Sequence, residues 1–246
     1  MDAIVAHPTR QPAGAQPFVP EPAGFFDLLE AHVPVRRHRV RQGAAVYRSG
    51  SPLGELHLVR AGVFKVAVIT WDGREKLLAL RFREQWLGFD GIAEGRHVCD
   101  ATAAESGELW SVRYDDLLQA CVRHAPLGTA MHRAMSEEMA HDRDSMKSLC
   151  TLSADARVAR FLCHWIETQA REGAYADRIT LNLTRAEIGN YLGLTLESVS
   201  RAFSRLARQQ VIRFAESTHR ELEIRDARAL SRLGGPCVSP QALVPC

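Results

Sequence analysis

Only three residues, Gly193-Leu194-Thr195, stand between two amphipathic helical segments late in the chain, and that spacing restricts the local fold more than any other feature. Thr184 followed three residues later by Glu187 makes a capping box, so a short helix starts there and turns Ile188 and Leu192 inward. Gly193 ends it. Thr195 caps the second helix, which runs to about Arg208 with Val199, Phe203 and Leu206 on its inner face. The outer face carries Glu197, Ser200, Arg201, Ser204, Arg205 and Arg208. Such a motif puts its second helix in the major groove of DNA, N-terminal residues at the base edges. Arginine bonds bidentately to guanine there and glutamate accepts from the cytosine amino group, so Glu197 and Arg201, one turn apart, suit one G·C pair or two adjacent ones.

Glutamate four residues ahead of arginine is also an ordinary exposed salt bridge, contributing about 0.2–0.5 kcal/mol, and arginines on a helix are often a solvated face. The conjunction favours DNA. From Ser198 to Phe214 there are four arginines (Arg201, Arg205, Arg208, Arg213) and no acid, and Val211–Phe214 with Glu221–Ile224 alternate like a hairpin wing. The net charge of +2 conceals this excess. Residues 1–126 balance 15 basic against 15 acidic, residues 127–150 hold 3 and 4, and residues 151–246 hold 13 and 10.

A chain of 246 residues, 46% hydrophobic and 24% charged, is suited to two globular domains. No apolar run is long enough to span a bilayer and no secretory leader opens the sequence, so no membrane association, a cytoplasmic location and six thiols are expected. The expected domains are a disordered arm over 1–22, rich in proline, a sensor domain over 23–125, a dimerisation helix over 126–152, a DNA-binding domain over 153–232 and a flexible tail over 233–246. Between Val33 and Val112, short apolar segments cut by glycine turns (Leu56–Val59, Val63–Ile69, Lys76–Phe82) read as strands of a small antiparallel sandwich or barrel. Within Trp71-Asp72-Gly73-Arg74, Asp-Gly is expected to supply the positive backbone angles of a tight hairpin. After Pro126 the period becomes helical: Leu127, Met131, Met135, Met139, Met146 and Leu149 form a narrow seam of the coiled-coil kind, which predicts pairing with a second copy. Asp142 interrupts that seam. In a twofold pair its carboxylate meets its mate, so the interface from Met131 to Leu149 is expected to be switchable. A further helix from Ala154 to Arg171 turns Val158, Phe161, Leu162, Trp165 and Ile166 to the core.

The string TRAEIGNYLGLTLESVSR (Thr184–Arg201), with LGFDGI (Leu87–Ile92) and AGVFK (Ala61–Lys65), resembles the CRP/FNR superfamily of bacterial transcription regulators, in its FNR-like branch, over about residues 33–230. The resemblance implies an α+β fold: an N-terminal cyclic-nucleotide-binding-like β-roll, a long dimerisation helix and a C-terminal winged helix-turn-helix. It implies DNA base contacts from Glu197, Ser200 and Arg201. Leu196 stands where CRP-type members carry an arginine, which implies an inverted repeat of TTGAT-like half-sites in double-stranded DNA. Arg185, Thr195 and Ser198 look like the family's phosphate contacts, and Arg205 is expected to join them; such contacts position without specifying. A homodimer that regulates transcription by contacting RNA polymerase is implied, with repression equally compatible.

Two departures bear on the input signal. Phe89 follows Gly88 where cAMP-binding members have a glutamate, and Val98-Cys99 stand where they have Arg-Ser, so cAMP is not expected. No cysteine precedes Cys99 and Trp110 occupies the β-roll ligand position, so a four-cysteine iron–sulfur cluster lacks its ligands. The six cysteines, Cys99, Cys121, Cys150, Cys163, Cys237 and Cys246, show no zinc spacing. No metal site and no cofactor are predicted. The alternatives are a redox-sensitive Cys99 activated by Arg96 beside His97, or haem held by one of the ten histidines. The strands bring together no facial triad and no nucleophile motif, so no catalytic residue and no enzyme is expected.

Overall fold

Glycine turns divide the segment from Arg36 to Arg113 into strands too short to form one large sheet, and they fold as two four-stranded ones. The computed structural model describes residues 25–171, 178–215 and 220–235. Helix α1 (Phe25–His32) precedes β1 (Arg36–Val40), β2 (Ala45–Tyr47), β3 (Glu55–Ala61), β4 (Phe64–Ile69), β5 (Glu75–Arg81), β6 (Trp86–Leu87), β7 (Asp100–Ala103) and β8 (Gly107–Arg113). Then come α2 (Tyr114–Arg123), α3 (Ala125–Thr151), α4 (Ala154–Arg171), β9 (Arg178–Thr180), α5 (Arg185–Leu192), α6 (Leu196–Arg208), β10 (Ile212–Phe214), β11 (Glu221–Ile224) and α7 (Ala227–Gly234). The sheets run β1-β8-β3-β6 and β2-β7-β4-β5, every pairing antiparallel. Together with the long helix and the C-terminal helix-turn-helix, this is the expected α+β architecture. The expected arm over 1–22 and most of the tail lie outside the described residues.

Side chains that alternate along the strands fill three cores. Between the sheets lie Tyr47, Val59, Phe64, Leu87, Cys99 and Leu109. On the outer face of the first sheet, Phe26, Leu29, Trp86 and Trp110 pack with Leu117 of α2 and with Leu127 and Met131 of α3. The outer face of the second sheet is continuous with the C-terminal domain: Leu77, Leu80 and Phe82 share one core with Phe161, Trp165, Ile188, Val199 and Phe203. Strand β5 is the open edge of that sheet, and the Asn190 side chain completes it. The Leu77 amide donates to Asn190 Oδ1 at 2.8 Å, and Asn190 Nδ2 donates to the Glu75 carbonyl at 2.7 Å. Lys65 adds an ion pair to Glu187 at 2.8 Å. An unpaired strand edge is thereby satisfied by the first helix of the helix-turn-helix.

Four expectations need correction. In the β4–β5 turn only Gly73 has a positive φ, 79°, and among the described residues Asp72 does not join it. The Thr70 amide donates to the Arg74 carbonyl at 2.8 Å, so the loop has five residues, and a longer loop needs only one left-handed position. The methionine seam is divided. Met131 is only 6% exposed within its own β-roll core, whereas Met139 (55%) and Met146 (68%) face outward and Leu149 (38%) lies beside Gly193 of the helix-turn-helix. Packing against α1 and α2 at the start of α3 takes up the apolar face that the sequence assigns to a partner. Cys163 is disulfide-bonded, against the expectation of six thiols; Cys99, Cys121 and Cys150 are free. Helix α7 extends past residue 232, because Gly234 packs against the α4 backbone: a Cβ there would lie 2.5 Å from the Arg160 nitrogen.

The β-roll interior holds its histidines neutral. Burial lowers His57 to about 3, with His38 adding to the shift, while His57 Nδ1 and Ser111 Oγ lie 2.5 Å apart. Burial also lowers His97 in the roll and His141 on α3. In the unfolded chain these groups regain their ordinary affinity for protons, so unfolding takes up protons below about pH 6.5. Stability should therefore be complete above that pH and fall as it drops toward 5. His57 alone accounts for up to about 1.4 kcal/mol per pH unit. Urea midpoints at pH 7, 6 and 5 test this, and a flat series would contradict it.

Candidate nucleic-acid interface

Both reader helices begin as the sequence dictates. Thr184 accepts from the Glu187 amide at 3.1 Å, and the Glu187 carboxylate accepts from the Thr184 amide at 2.7 Å, which completes the capping box. Gly193 ends α5 at φ 63°, a left-handed position that glycine takes without strain. Leu194 then donates to the Gly189 carbonyl at 2.8 Å, and a Cβ on Gly189 would lie 2.7 Å from the Leu194 oxygen. The turn is thus held by close backbone approach. Thr195 caps α6 by accepting from the Ser198 amide at 3.1 Å.

On α6 the inner face, Val199, Ala202, Phe203 and Leu206, is buried. The outer face stays open: Glu197, Arg201, Ser204 and Arg208 are exposed and Ser200 is half-buried. The ordinary salt bridge of the sequence reading does not form, because among the described residues no ion pair joins Glu197 to Arg201. Arg201 instead donates to Ser198 Oγ at 3.1 Å. The Glu197 carboxylate is held below its ordinary value by its own backbone amide and by the Thr195 hydroxyl. A negative and a positive charge therefore stand one turn apart in solvent, Arg201 adding to the lowering of Glu197 without closing an ion pair among the described residues.

The expected phosphate contacts are less uniform. Ser198 Oγ accepts from Arg201 at 3.1 Å and lies 3.1 Å from the Thr195 hydroxyl, whose single proton is shared with the Glu197 carboxylate. Arg205 is engaged within the chain: its Nε donates to Asp155 at 2.7 Å in a two-pronged pair, and the Asp155 carboxylate raises its pKa. Arg185 stacks its guanidinium 3.6 Å from the centroid of Phe203, and burial lowers its pKa to about 10, so it remains charged at neutral pH. Sequence spacing did not reveal these two roles, since both partners lie on other elements. The wing hairpin β10–β11 is present, and β9 extends it to three strands in the order β10-β11-β9.

In the β-roll, Phe89 stacks on Trp86 with ring centroids 5.6 Å apart, so an apolar ring fills the place of the nucleotide-binding carboxylate. Arg96 donates to the Gly50 carbonyl at 2.9 Å. Arg81, 6% exposed, pairs with Glu138 of α3 at 2.5 Å. Trp110 is buried, and its indole donates to Glu108 at 3.1 Å. The activated-thiol expectation for Cys99 is corrected: burial, with the Asp90 carboxylate beside it, pushes the thiol up to about 12, and Arg96 is turned to backbone. His97, stacked on Tyr47 at 3.7 Å, supplies no charge to offset this. Among the described residues no three His, Cys, Asp or Glu side chains gather to hold a metal ion, and no helix is long and apolar enough to cross a membrane.

Two protein-family models match the chain, a cyclic nucleotide-binding domain over residues 37–124 and a Crp-like helix-turn-helix domain over residues 156–233. The transcriptional regulatory protein btr of Bordetella pertussis is 31% identical over 214 residues, covering 87% of both chains. The fumarate and nitrate reduction regulatory protein of Yersinia pestis is 28% identical over 200 residues, 81% of this chain and 79% of that one. Among solved structures, FixK2 from Bradyrhizobium japonicum superposes with a TM-score of 0.72 at 27% identity, covering 82% of this chain and 98% of that one.

Proposed function

We propose, for a chain that belongs to the FNR-like branch of the CRP/FNR family of transcription regulators, a family of non-enzymes, that it binds an inverted repeat of TTGAT-like half-sites as a homodimer. The observation that carries this reading is the unpaired Glu197–Arg201 couple on the open face of α6. Ser200 stands beside it, and Leu196, 48% exposed, offers no further base contact. Thr195, Ser198 and the charged Arg185 hold the phosphates flanking each half-site, and Arg205 joins them by exchanging Asp155 for phosphate. Bound to its site, the cytoplasmic dimer acts on transcription through RNA polymerase. The reading includes no cofactor: with Phe89, Val98 and Cys99 in the β-roll, cAMP has neither its carboxylate nor its guanidinium, an iron–sulfur cluster lacks its thiolates, and no histidine is singled out for haem. A gel-shift titration of the full chain with a TTGAT inverted-repeat duplex, against a duplex of the same composition in scrambled order, tests it. Equal affinity for both would reject the assignment.

The dimer forms through the outward half of the α3 seam: the half-buried Met135, then Met139, Met146 and Leu149. Asp142 is exposed on the same helix, and its carboxylate raises the pKa of Glu138 one turn earlier, after the larger effect of burial. Like charges meeting across a twofold axis oppose association. Asp142→Ala should therefore lower the dimer dissociation constant in sedimentation equilibrium; a dimer no tighter than wild type would sink the switch.

A further inference from the structure

Strand β5, a face of α3 that includes Leu149 at the end of the methionine seam, α4 and α5 enclose a cavity of about 300 Å³. That is the size of a small-molecule site, and it lies at a junction of domains where such sites concentrate. Its apolar wall is Leu77, Phe161 and Leu192, each less than 10% exposed. Its polar wall is unbalanced, with the cations Lys76, Arg157 and Arg160 facing two acids, Asp144 and Glu167. Asp144 is already paired with Arg160.

The other two cations have only neutral partners. Arg157 donates to three carbonyls, those of Leu149 at 2.7 Å, Leu152 at 3.0 Å and Leu192 at 3.2 Å. Lys76 donates to the Asn190 carbonyl. Among the described residues neither is joined to a carboxylate, and with Asp144 taken by Arg160 the wall keeps a net excess of one positive charge over Glu167. A carbonyl supplies a dipole, not a counter-charge, and part-buried cations of this kind favour an anion. Burial accordingly lowers the pKa of Lys76, with no carboxylate to oppose the shift. The Tyr191 hydroxyl, bonded to Ser145, adds a neutral polar edge.

We propose that this cavity binds a small organic monoanion, its carboxylate directed at Lys76 and Arg157 and a compact apolar body against Leu77, Phe161 and Leu192. An occupant would touch the sensor sheet, the dimer helix and both α4 and α5 at once, and so would fix the angle of the reader on the dimer.

Isothermal titration of the full chain with benzoate, and with its neutral isostere benzamide, tests the site. Saturable benzoate binding at one per chain is expected, about tenfold or more tighter than benzamide, since one tenfold step is about 1.4 kcal/mol of charge recognition. Lys76→Gln should weaken benzoate by a similar factor and leave benzamide unchanged, and Lys76→Arg should restore it. Ser148→Leu, which fills the cavity from α3, should abolish both, with thermal melts showing that each variant is folded. Absence of saturable binding, equal affinity for the two probes, or benzoate affinity unchanged in Lys76→Gln would overturn the proposal. No DNA enters the titration, so its failure leaves the DNA-binding reading standing.

Discussion

An Arg201→Ala protein should fold normally and still bind nucleic acid, yet lose roughly 1–3 kcal/mol of base discrimination at each half-site. The fold is spared because Arg201 is exposed and, among the described residues, makes one hydrogen bond, to Ser198, so its removal leaves no buried group unsatisfied. Discrimination is not spared, because a guanidinium free of ion pairs supplies both donors of a bidentate contact to guanine and alanine supplies none. Both half-sites of a twofold dimer lose it together. Titrations at one fixed salt concentration, on the inverted repeat and on a duplex with its G·C pairs exchanged, give the ratio of affinities. That ratio should collapse toward unity while affinity for unrelated DNA changes far less, since phosphate contacts dominate the unspecific part. An unchanged ratio would refute the assignment of Arg201 to a base edge.

Legibility in the sequence follows the range of the interactions concerned. The helix-turn-helix was readable because caps, glycine turn and inner face all lie within one turn of their partners: Thr184 with Glu187, Thr195 with Ser198, Gly189 with Leu194. Strands β3, β4 and β5 were readable as short apolar segments cut by glycine turns. Helices α1, α2 and α7 were not, since each is only eight to ten residues long and too short for a periodic signal. Strand β9 was missed because three residues become a strand only by pairing with β11. The long helix was legible as a helix, but the division of its seam was not. Whether Met131 faces a partner or its own core depends on where Leu29 and Leu117 fall in space, which periodicity cannot say. Arg205 and Arg185 show the same limit, because Asp155 and Phe203 lie 50 and 18 positions away.

Contact between the β-roll and the helix-turn-helix was the least legible feature. Asn190 reads as an ordinary polar residue of the first helix, yet its amide is built into the edge of β5. Lys65 holds the same helix through Glu187. A shift in β4 or β5 therefore reaches α5 directly, in addition to any route through α3, and the shared core makes the two domains mechanically continuous.

That continuity sets the size of the loss on Phe203→Ala, which should cost about 3–5 kcal/mol of stability. Phe203 is 1% exposed and lies in the core that runs from Leu77 and Phe82 of the sensor through α4 to α6. Truncation removes its apolar area from the core and leaves a cavity that the capped ends of α6 resist closing. It also removes the ring beneath Arg185, whose guanidinium would lose its seat at the start of α5. Urea denaturation should show a lower midpoint at unchanged slope, the signature of lost stability without a change in the surface exposed. Phe203→Leu, which keeps most of the volume, should cost much less, typically under about 1.5 kcal/mol. Taken with Arg201→Ala, the pair separates two ways of losing DNA binding: one residue is needed for the surface that reads the sequence, the other for the frame that presents it. A Phe203→Ala protein as stable as wild type would mean that the reader's core does not hold α6 in place.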